Sequence, residues 1–256
     1  MTATLAAEAV LDEVVWQSLT GAHARFAERL GRAARYHPDF APFHALADPD
    51  DPAAWHDLTR LAGPGADVAV AGPIPHEHPG WELTAEIPGV QLVDVALRAE
   101  PDPEAVILGP PDVPEILDLI ARTQPGPFRP RTVELGTYLG IRHRGALIAM
   151  AGERLRPPGW TEISAVCTNP AHRGRGLATR LVRAVAVGIR ARGETPVPAH
   201  QRNEHQRNPA LRIDRLPPAP AHHLRRLPVG RRPSIHRPGE DMMQFAIRSA
   251  AGWSAS

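Results

Sequence analysis

The chain has 256 residues, enough for one large domain or two small ones. Its hydrophobic content of 43% is sufficient for a buried core, while 29 prolines and 21 glycines indicate many breaks between elements. A formal charge of +1 argues against a general nucleic-acid or membrane surface. The single cysteine, Cys167, excludes an internal disulfide framework and suits a reducing compartment. No apolar run has the length of a membrane span and the start does not resemble a leader, so we expect a cytoplasmic protein.

The first hundred residues predict a small α+β unit, residues 1–100, without a recognisable site. Apolar residues at helical spacing predict a helix from Ala6 to Arg35. Asp51 and Pro52 are typical of a helix start, here of a short helix that ends near Leu61. Alternating apolar residues then predict strands at 67–71, 81–84 and 90–95.

The second unit, residues 104–197, follows a proline-rich linker. Its pattern predicts a strand at 106–108, a helix at 113–122 capped by Asp112, and a Pro/Gly-rich loop at 124–131. Two strands at 137–142 and 146–153 then form a hairpin, and a central strand runs from Glu162 to Thr168. A glycine-rich turn and a helix from Leu177 complete the unit, in which Cys167 is expected to be buried.

The turn His172-Arg173-Gly174-Arg175-Gly176 has the character of an anion site. A helix N-terminus carries unpaired amides and the positive end of the helix dipole. The two glycines let the backbone approach a ligand closely, so a diphosphate is the natural occupant. The alternative is an ordinary helix start with solvated arginines.

The order Arg173-x-x-Gly176-x-Ala178 after a strand resembles the acyl-CoA signature of the GNAT superfamily of N-acetyltransferases. The resemblance implies a mixed α/β (α+β) fold with a mostly antiparallel sheet flanked by helices, and acetyl-CoA as co-substrate. By analogy alone, the first unit is a degenerate acyltransferase-like half. The resemblance also implies that the central-strand backbone pairs with the pantetheine arm and that the turn amides hold the pyrophosphate. The implied cofactor-binding residues are Val166, Cys167, Thr168, Arg173, Gly174, Arg175, Gly176, Leu177 and Ala178.

Acetyl transfer to an amine requires loss of a proton from the amine, stabilisation of the carbonyl oxygen and protonation of the leaving thiolate. Glu162 on the central strand is the candidate catalytic base, with Glu153 as second choice. The alternative is that Glu162 is a solvated strand-end residue. The family's usual acid is a tyrosine in a later helix, in a segment that this chain lacks. Of the two tyrosines, Tyr36 and Tyr138, the second is expected to be a core residue.

The acceptor is expected to be a small-molecule or peptide amine, with no membrane or nucleic-acid partner. His76-Glu77-His78 lacks a completing ligand set, so no metal site is predicted. A non-catalytic CoA-binding relative remains a competing interpretation. A second is a nucleic-acid binder that uses an arginine-rich tail.

That tail, residues 198–256, changes abruptly to Pro, Arg, His and Gln without apolar periodicity and is predicted to be irregular and disordered. Back-translation of residues 197–216 with one nucleotide dropped permits a segment containing Asn-x-x-Ala-Ile-Arg-Leu-Tyr-Glu-Ser-Ile-Gly-Phe. This is the missing family motif at the expected place. We therefore hypothesise that a one-nucleotide frame change lies near residue 197 and removes the C-terminal motif.

Overall fold

The computed structural model describes residues 10–75, 80–87, 89–93, 97–201, 214–215 and 221–226. The described helices are α1 (Val14–Thr20), α2 (Pro52–Ala62), α3 (Val113–Thr123) and α4 (Leu177–Ala191). The described strands are β1 (Ala27–Leu30), β2 (Ala33–Tyr36), β3 (Phe43–Leu46), β4 (Asp67–Ala71), β5 (Trp81–Ile87), β6 (Gly89–Val93), β7 (Val106–Leu108), β8 (Tyr138–His143), β9 (Ala146–Glu153), β10 (Trp160–Thr168), β11 (Thr195–Gln201), β12 (Asp214–Arg215) and β13 (Ala221–Arg226).

These strands form two mixed, mostly antiparallel sheets. The first has the order β1-β2-β3-β4-β13-β5, and the second has the order β12-β6-β11-β10-β9-β8-β7. In the described sheets the parallel pairs are β3 with β4 and β10 with β11. The mixed α/β fold class predicted from the sequence is therefore confirmed.

The two sheets exchange strands. β6 follows β5 in the chain but pairs with β11 in the second sheet. β13 comes from the far end of the described chain, yet it lies between β4 and β5 in the first sheet. The two units are consequently joined by backbone hydrogen bonds as well as by packed side chains.

The second sheet carries a helix on each face. On one face, a buried stripe of α4 contacts Ile141, Ala149 and Ile163. On the other face, Ile116 and Leu119 of α3 contact Met150, Ala165 and Cys167. The stripe of α4 consists of Leu177, Leu181, Val185 and Ile189, which recur at helical spacing.

The predicted helix from Ala6 to Arg35 is wrong over most of its described length. Only Val14–Thr20 is α-helical, and β1 and β2 form a hairpin after it. Gly31 turns this hairpin with φ of 55°, a conformation that glycine adopts without strain. Pairing with β3 then outweighs the helix propensity of the Ala, Glu, Leu and Arg residues in this segment.

Other predicted elements agree closely with the structure. The strands at 67–71, 106–108 and 146–153 have the predicted bounds. Asp51 caps α2, because its Oδ1 accepts a 2.8 Å hydrogen bond from the Ala53 amide. Asp112 precedes α3 as predicted, but its carboxylate accepts from the Gly109 amide and makes no capping bond to the helix.

The segment after residue 193 forms a strand in the interior of the second sheet. β11 has neighbours on both sides, pairing in parallel with β10 and antiparallel with β6. The predicted irregular tail also contains two short strands, since β12 pairs with β6 and β13 joins the first sheet. The segment His76-Glu77-His78, for which no metal site is predicted, lies outside the described residues.

Candidate active site

The turn before α4 presents a row of free backbone donors. Within the described chain, the amides of residues 174–179 donate to no protein acceptor, and the first helical bond runs from Arg180 to the Gly176 carbonyl. Gly174 and Gly176 have φ of 76° and 73°, and a Cβ at either position would meet no heavy atom within 4 Å. The turn is exposed, so an anion can reach these donors. The geometry fits the predicted diphosphate site.

Side chains around this turn reinforce its positive character. Arg175 donates a 3.0 Å hydrogen bond to Nδ1 of His172. Arg173 donates from Nε to the Thr168 carbonyl at 3.4 Å. Leu177 is buried and anchors the first turn of α4 in the core. The turn is therefore fixed at its base while its amides and arginines face outward.

The central strand β10, which leads into this turn, separates from its neighbouring strands near its C-terminal end. Its parallel pairing with β11 covers residues 160–163 and does not continue beyond them in the described sheet. Its pairing with β9 is interrupted by a bulge between Ser164 and Cys167, where Ala165 has φ of 52°. Among the described strands, neither Ala165 nor Val166 has a register partner. Residues 165–166 thus lie outside the described strand pairing, which widens the gap between β10 and its neighbours here.

Glu162 lies on this strand and is buried, with 8% of its surface exposed. The strand begins at Trp160, so the alternative of a solvated strand-end residue is wrong. Both carboxylate oxygens of Glu162 accept hydrogen bonds from Arg154, at 3.1 Å from Nε and 2.7 Å from Nη2. Glu162 also borders a small cleft lined by Leu11, Val14, Pro157, Trp160 and Val197.

Glu153, the second candidate base, projects from the opposite face of the sheet. It is paired with Ile163, which packs on α4. Successive side chains of a strand alternate between faces, so Glu153 and Glu162 do not converge. Glu153 is 5% exposed and accepts a 2.9 Å bond from Arg192, at the end of α4. Only Glu162 combines a place on β10 with access to the cleft.

The tyrosines do not supply the missing acid. Tyr138 is fully buried, as predicted, and burial raises its pKa. Its hydroxyl has no hydrogen-bond partner in the described structure. Tyr36 is also buried with a raised pKa, and its hydroxyl contacts Nδ1 of His23 at 2.8 Å. Cys167 is buried as expected, and burial raises its pKa to about 11, which argues against a thiolate nucleophile.

No pattern in the sequence points to Arg154 or Phe43. Arg154 lies directly opposite Glu162, since its amide donates to the Glu162 carbonyl. Phe43 comes from the first unit, and Arg154 Cζ lies 5.0 Å from the centroid of its ring. The hairpin register would have revealed the Arg154–Glu162 pair, whereas no local signal indicates the contact with Phe43.

Two kinds of feature are absent from the described ranges. No group of three His, Cys, Asp or Glu side chains is placed to hold a metal ion. None of the described helices has the length and apolar character needed to cross a membrane.

Comparison with known proteins identifies the family. A GNAT-family acetyltransferase structure from Novosphingobium aromaticivorans is 35% identical, with 86% of this chain and 99% of that chain covered and a TM-score of 0.75. This chain belongs to the GNAT acetyltransferase family. The family model for FR47-like protein matches residues 138–208, which include β8 to β11 and the glycine turn of this GNAT protein.

More distant structures share the fold. A GCN5-related N-acetyltransferase from Kribbella flavida is 18% identical, with 84% of this chain and 94% of that chain covered and a TM-score of 0.55. A Drosophila protein is 15% identical, with 86% and 89% covered and a TM-score of 0.53. No curated protein matches this GNAT chain.

Proposed function

We propose that this protein transfers the acetyl group of acetyl-CoA to a primary amine by direct attack in a ternary complex. The observation that carries the proposal is the row of unbonded amides at residues 174–179 beside the unpaired stretch of β10. A diphosphate bound at the amides would leave the rest of an extended thioester to lie along β10, close to Glu162. The acceptor is a small-molecule or peptide amine.

In this proposal each group of the chain has one task. Amides of residues 174–178 bind the pyrophosphate, and Arg173 and Arg175 add positive charge. The backbone of residues 166–168 bonds the pantetheine arm, and an amide near Val166 polarises the carbonyl oxygen. Val166, Cys167 and Thr168 thus contribute main-chain groups rather than side-chain chemistry.

Glu162 acts as the base. It accepts a proton from the substrate ammonium group, directly or through water, and releases it to solvent. The amine nitrogen then forms the C–N bond as the C–S bond breaks, and the second nitrogen proton leaves with the thiol. No covalent enzyme intermediate is needed, because the thioester and the amine would be held together in a ternary complex.

The first test measures acetyl-CoA binding by calorimetry with the full chain. Gly176→Val places a β-branched residue at φ of 73° in the turn, and we expect a loss of affinity of about tenfold or more. Gly65→Val is the matched control, because Gly65 has φ of 68° and equally open surroundings far from the turn. Equal affinity in the wild type and in both variants would contradict binding at this turn.

The second test measures thiol release from acetyl-CoA with a panel of amines. The panel contains free amino acids, an aliphatic diamine, an aminoglycoside and a peptide with a free N-terminus. Glu162→Gln keeps the shape of the side chain and removes its basicity, so we expect a loss of kcat/KM of about 10²-fold or more. Tight binding without thiol release from any amine would instead favour the non-catalytic relative.

A further inference from the structure

The side chain that binds the Glu162 carboxylate comes from the residue that follows the neighbouring strand, β9. Arg154 directly follows β9, and its guanidinium donates two hydrogen bonds to the Glu162 carboxylate. The side chains are only 14% and 10% exposed, so this pair is largely withdrawn from water. A two-bond contact of this kind fixes the orientation of the carboxylate as well as its charge.

The first unit closes over this pair. The Phe43 ring of β3 lies against the Arg154 guanidinium. Tyr36 of β2 and Tyr138 of β8 lie close enough to interact electrostatically with Arg154 and Glu162. Burial raises the pKa of both tyrosines. Neither tyrosine therefore supplies a charge near neutral pH, and Arg154 is the cation that contacts Glu162.

A carboxyl group buried without a cation would hold its proton and could not act as a base near neutral pH. Arg154 remains charged here. Its burial would lower its pKa, but the adjacent Glu162 carboxylate outweighs this effect and holds the pKa above its ordinary value. A carboxylate has about four acceptor positions, so two bonds to Arg154 leave others free for a substrate proton.

We propose that Arg154 is a positioning residue that holds the Glu162 carboxylate in a fixed orientation as a proton acceptor, with Phe43 of the first unit holding the guanidinium in place. This inference rests on the proposed function of Glu162 as base. It also gives the first unit a part in the proposed active site, because Phe43 belongs to the first sheet and contacts Arg154 beside the second.

The experiment compares pH profiles of kcat/KM for acetyl-CoA and the most reactive amine of the panel. Because the base must be deprotonated to act, kcat/KM rises with pH as the base loses its proton. Arg154→Met should move this rise to higher pH by about one unit or more. At a fixed pH below the rise, each pH unit of displacement lowers kcat/KM about tenfold relative to the wild type. Activity should recover at alkaline pH.

Two further variants should shift the pH profile by less than Arg154→Met. Arg154→Lys keeps the charge but loses the two-bond geometry, so its shift should be smaller than that of Arg154→Met. Phe43→Leu should shift the profile in the same direction by less. Arg183→Met removes an exposed arginine, whose partner Glu100 lies 3.4 Å away, and should leave the profile unchanged.

A second measurement does not depend on turnover. Carboxyl-carbon NMR of glutamate-labelled protein, assigned with Glu162→Gln, should show a higher pKa for Glu162 in Arg154→Met or Arg154→Lys than in the wild type. An unshifted pKa, or an equal loss of activity at every pH in a folded variant, would overturn the inference. Full activity in Glu162→Gln would instead overturn the proposed base.

Discussion

At the scale of single residues, burial determines which ionisable groups take part in chemistry and which affect stability. Burial lowers the pKa of both His23 and His44 from 6.5 to about 4. Both histidines belong to the first unit and lie away from the glycine turn. They are neutral in the folded protein at pH 7 and would each gain a proton on unfolding at mildly acidic pH.

We therefore predict that stability falls between about pH 6.5 and pH 4. A histidine whose folded pKa is lowered contributes stability that is present above its unfolded pKa. This stability is lost as pH falls toward the folded pKa, by up to about 3 kcal/mol for each group. The measurement is urea unfolding at pH 8, 6 and 5. His44→Asn should reduce the slope over this window, and an unchanged slope in that variant would contradict the assignment.

At the scale of elements, the hairpin of β8 and β9 shows how tightly the second sheet is packed. Tyr138 lies across Gly152 on the neighbouring strand, and a Cβ on Gly152 would lie 2.1 Å from its ring. An aromatic ring over a glycine fills the gap that the missing side chain leaves. This contact supports the face of the sheet that carries Arg154 and Glu162.

Gly152→Ala is expected to destabilise the protein by about 2 kcal/mol or more, because the buried Tyr138 ring would have to move to make room for the methyl group. Gly109→Ala is the control, since a Cβ there would meet only Pro111 Cδ at 3.8 Å and φ is −139°. Thermal and urea unfolding of the two variants give the comparison. Similar stabilities would show that the ring adjusts at little cost.

Local patterns predicted most elements of the second unit, because each has its own signal. The stripe of α4, the β8–β9 hairpin and the glycine turn could all be identified within short windows of sequence. The β1–β2 hairpin could not, since its strands exist only by pairing with distant partners such as β3. The same limit applies to the candidate site: Glu162 could be proposed from its place on β10, whereas the contact of Arg154 with Phe43 depends on how the two units meet.

At the scale of the whole molecule, the C-terminal segment can be understood in two incompatible ways: as a tail without selected structure, or as a part of the first sheet. A tail without selected structure, as the frame-change hypothesis requires, would contribute nothing to stability. The structure instead places β13 between β4 and β5, with register pairs to both. A strand removed from the interior of a sheet leaves two unpaired edges, which destabilises the sheet and promotes aggregation.

We predict that removal of residues 202–256 lowers stability by about 2 kcal/mol or more, because β12 and β13 are lost. Removal of residues 227–256 alone keeps both strands and should have little effect on the unfolding midpoint. Differential scanning calorimetry of the two truncated chains makes the comparison. Equal midpoints would favour the frame-change hypothesis, which resequencing of the gene across codons 190–216 tests directly.

The position of β13 also affects the order in which the protein can fold. During synthesis the N-terminal residues leave the ribosome first, yet the first sheet has a vacancy between β4 and β5 until residue 226 has emerged. The N-terminal half therefore cannot reach its final form ahead of the C-terminal half, as it could in an array of independent domains. Nascent chains stalled before this point should expose two strand edges and depend on chaperones.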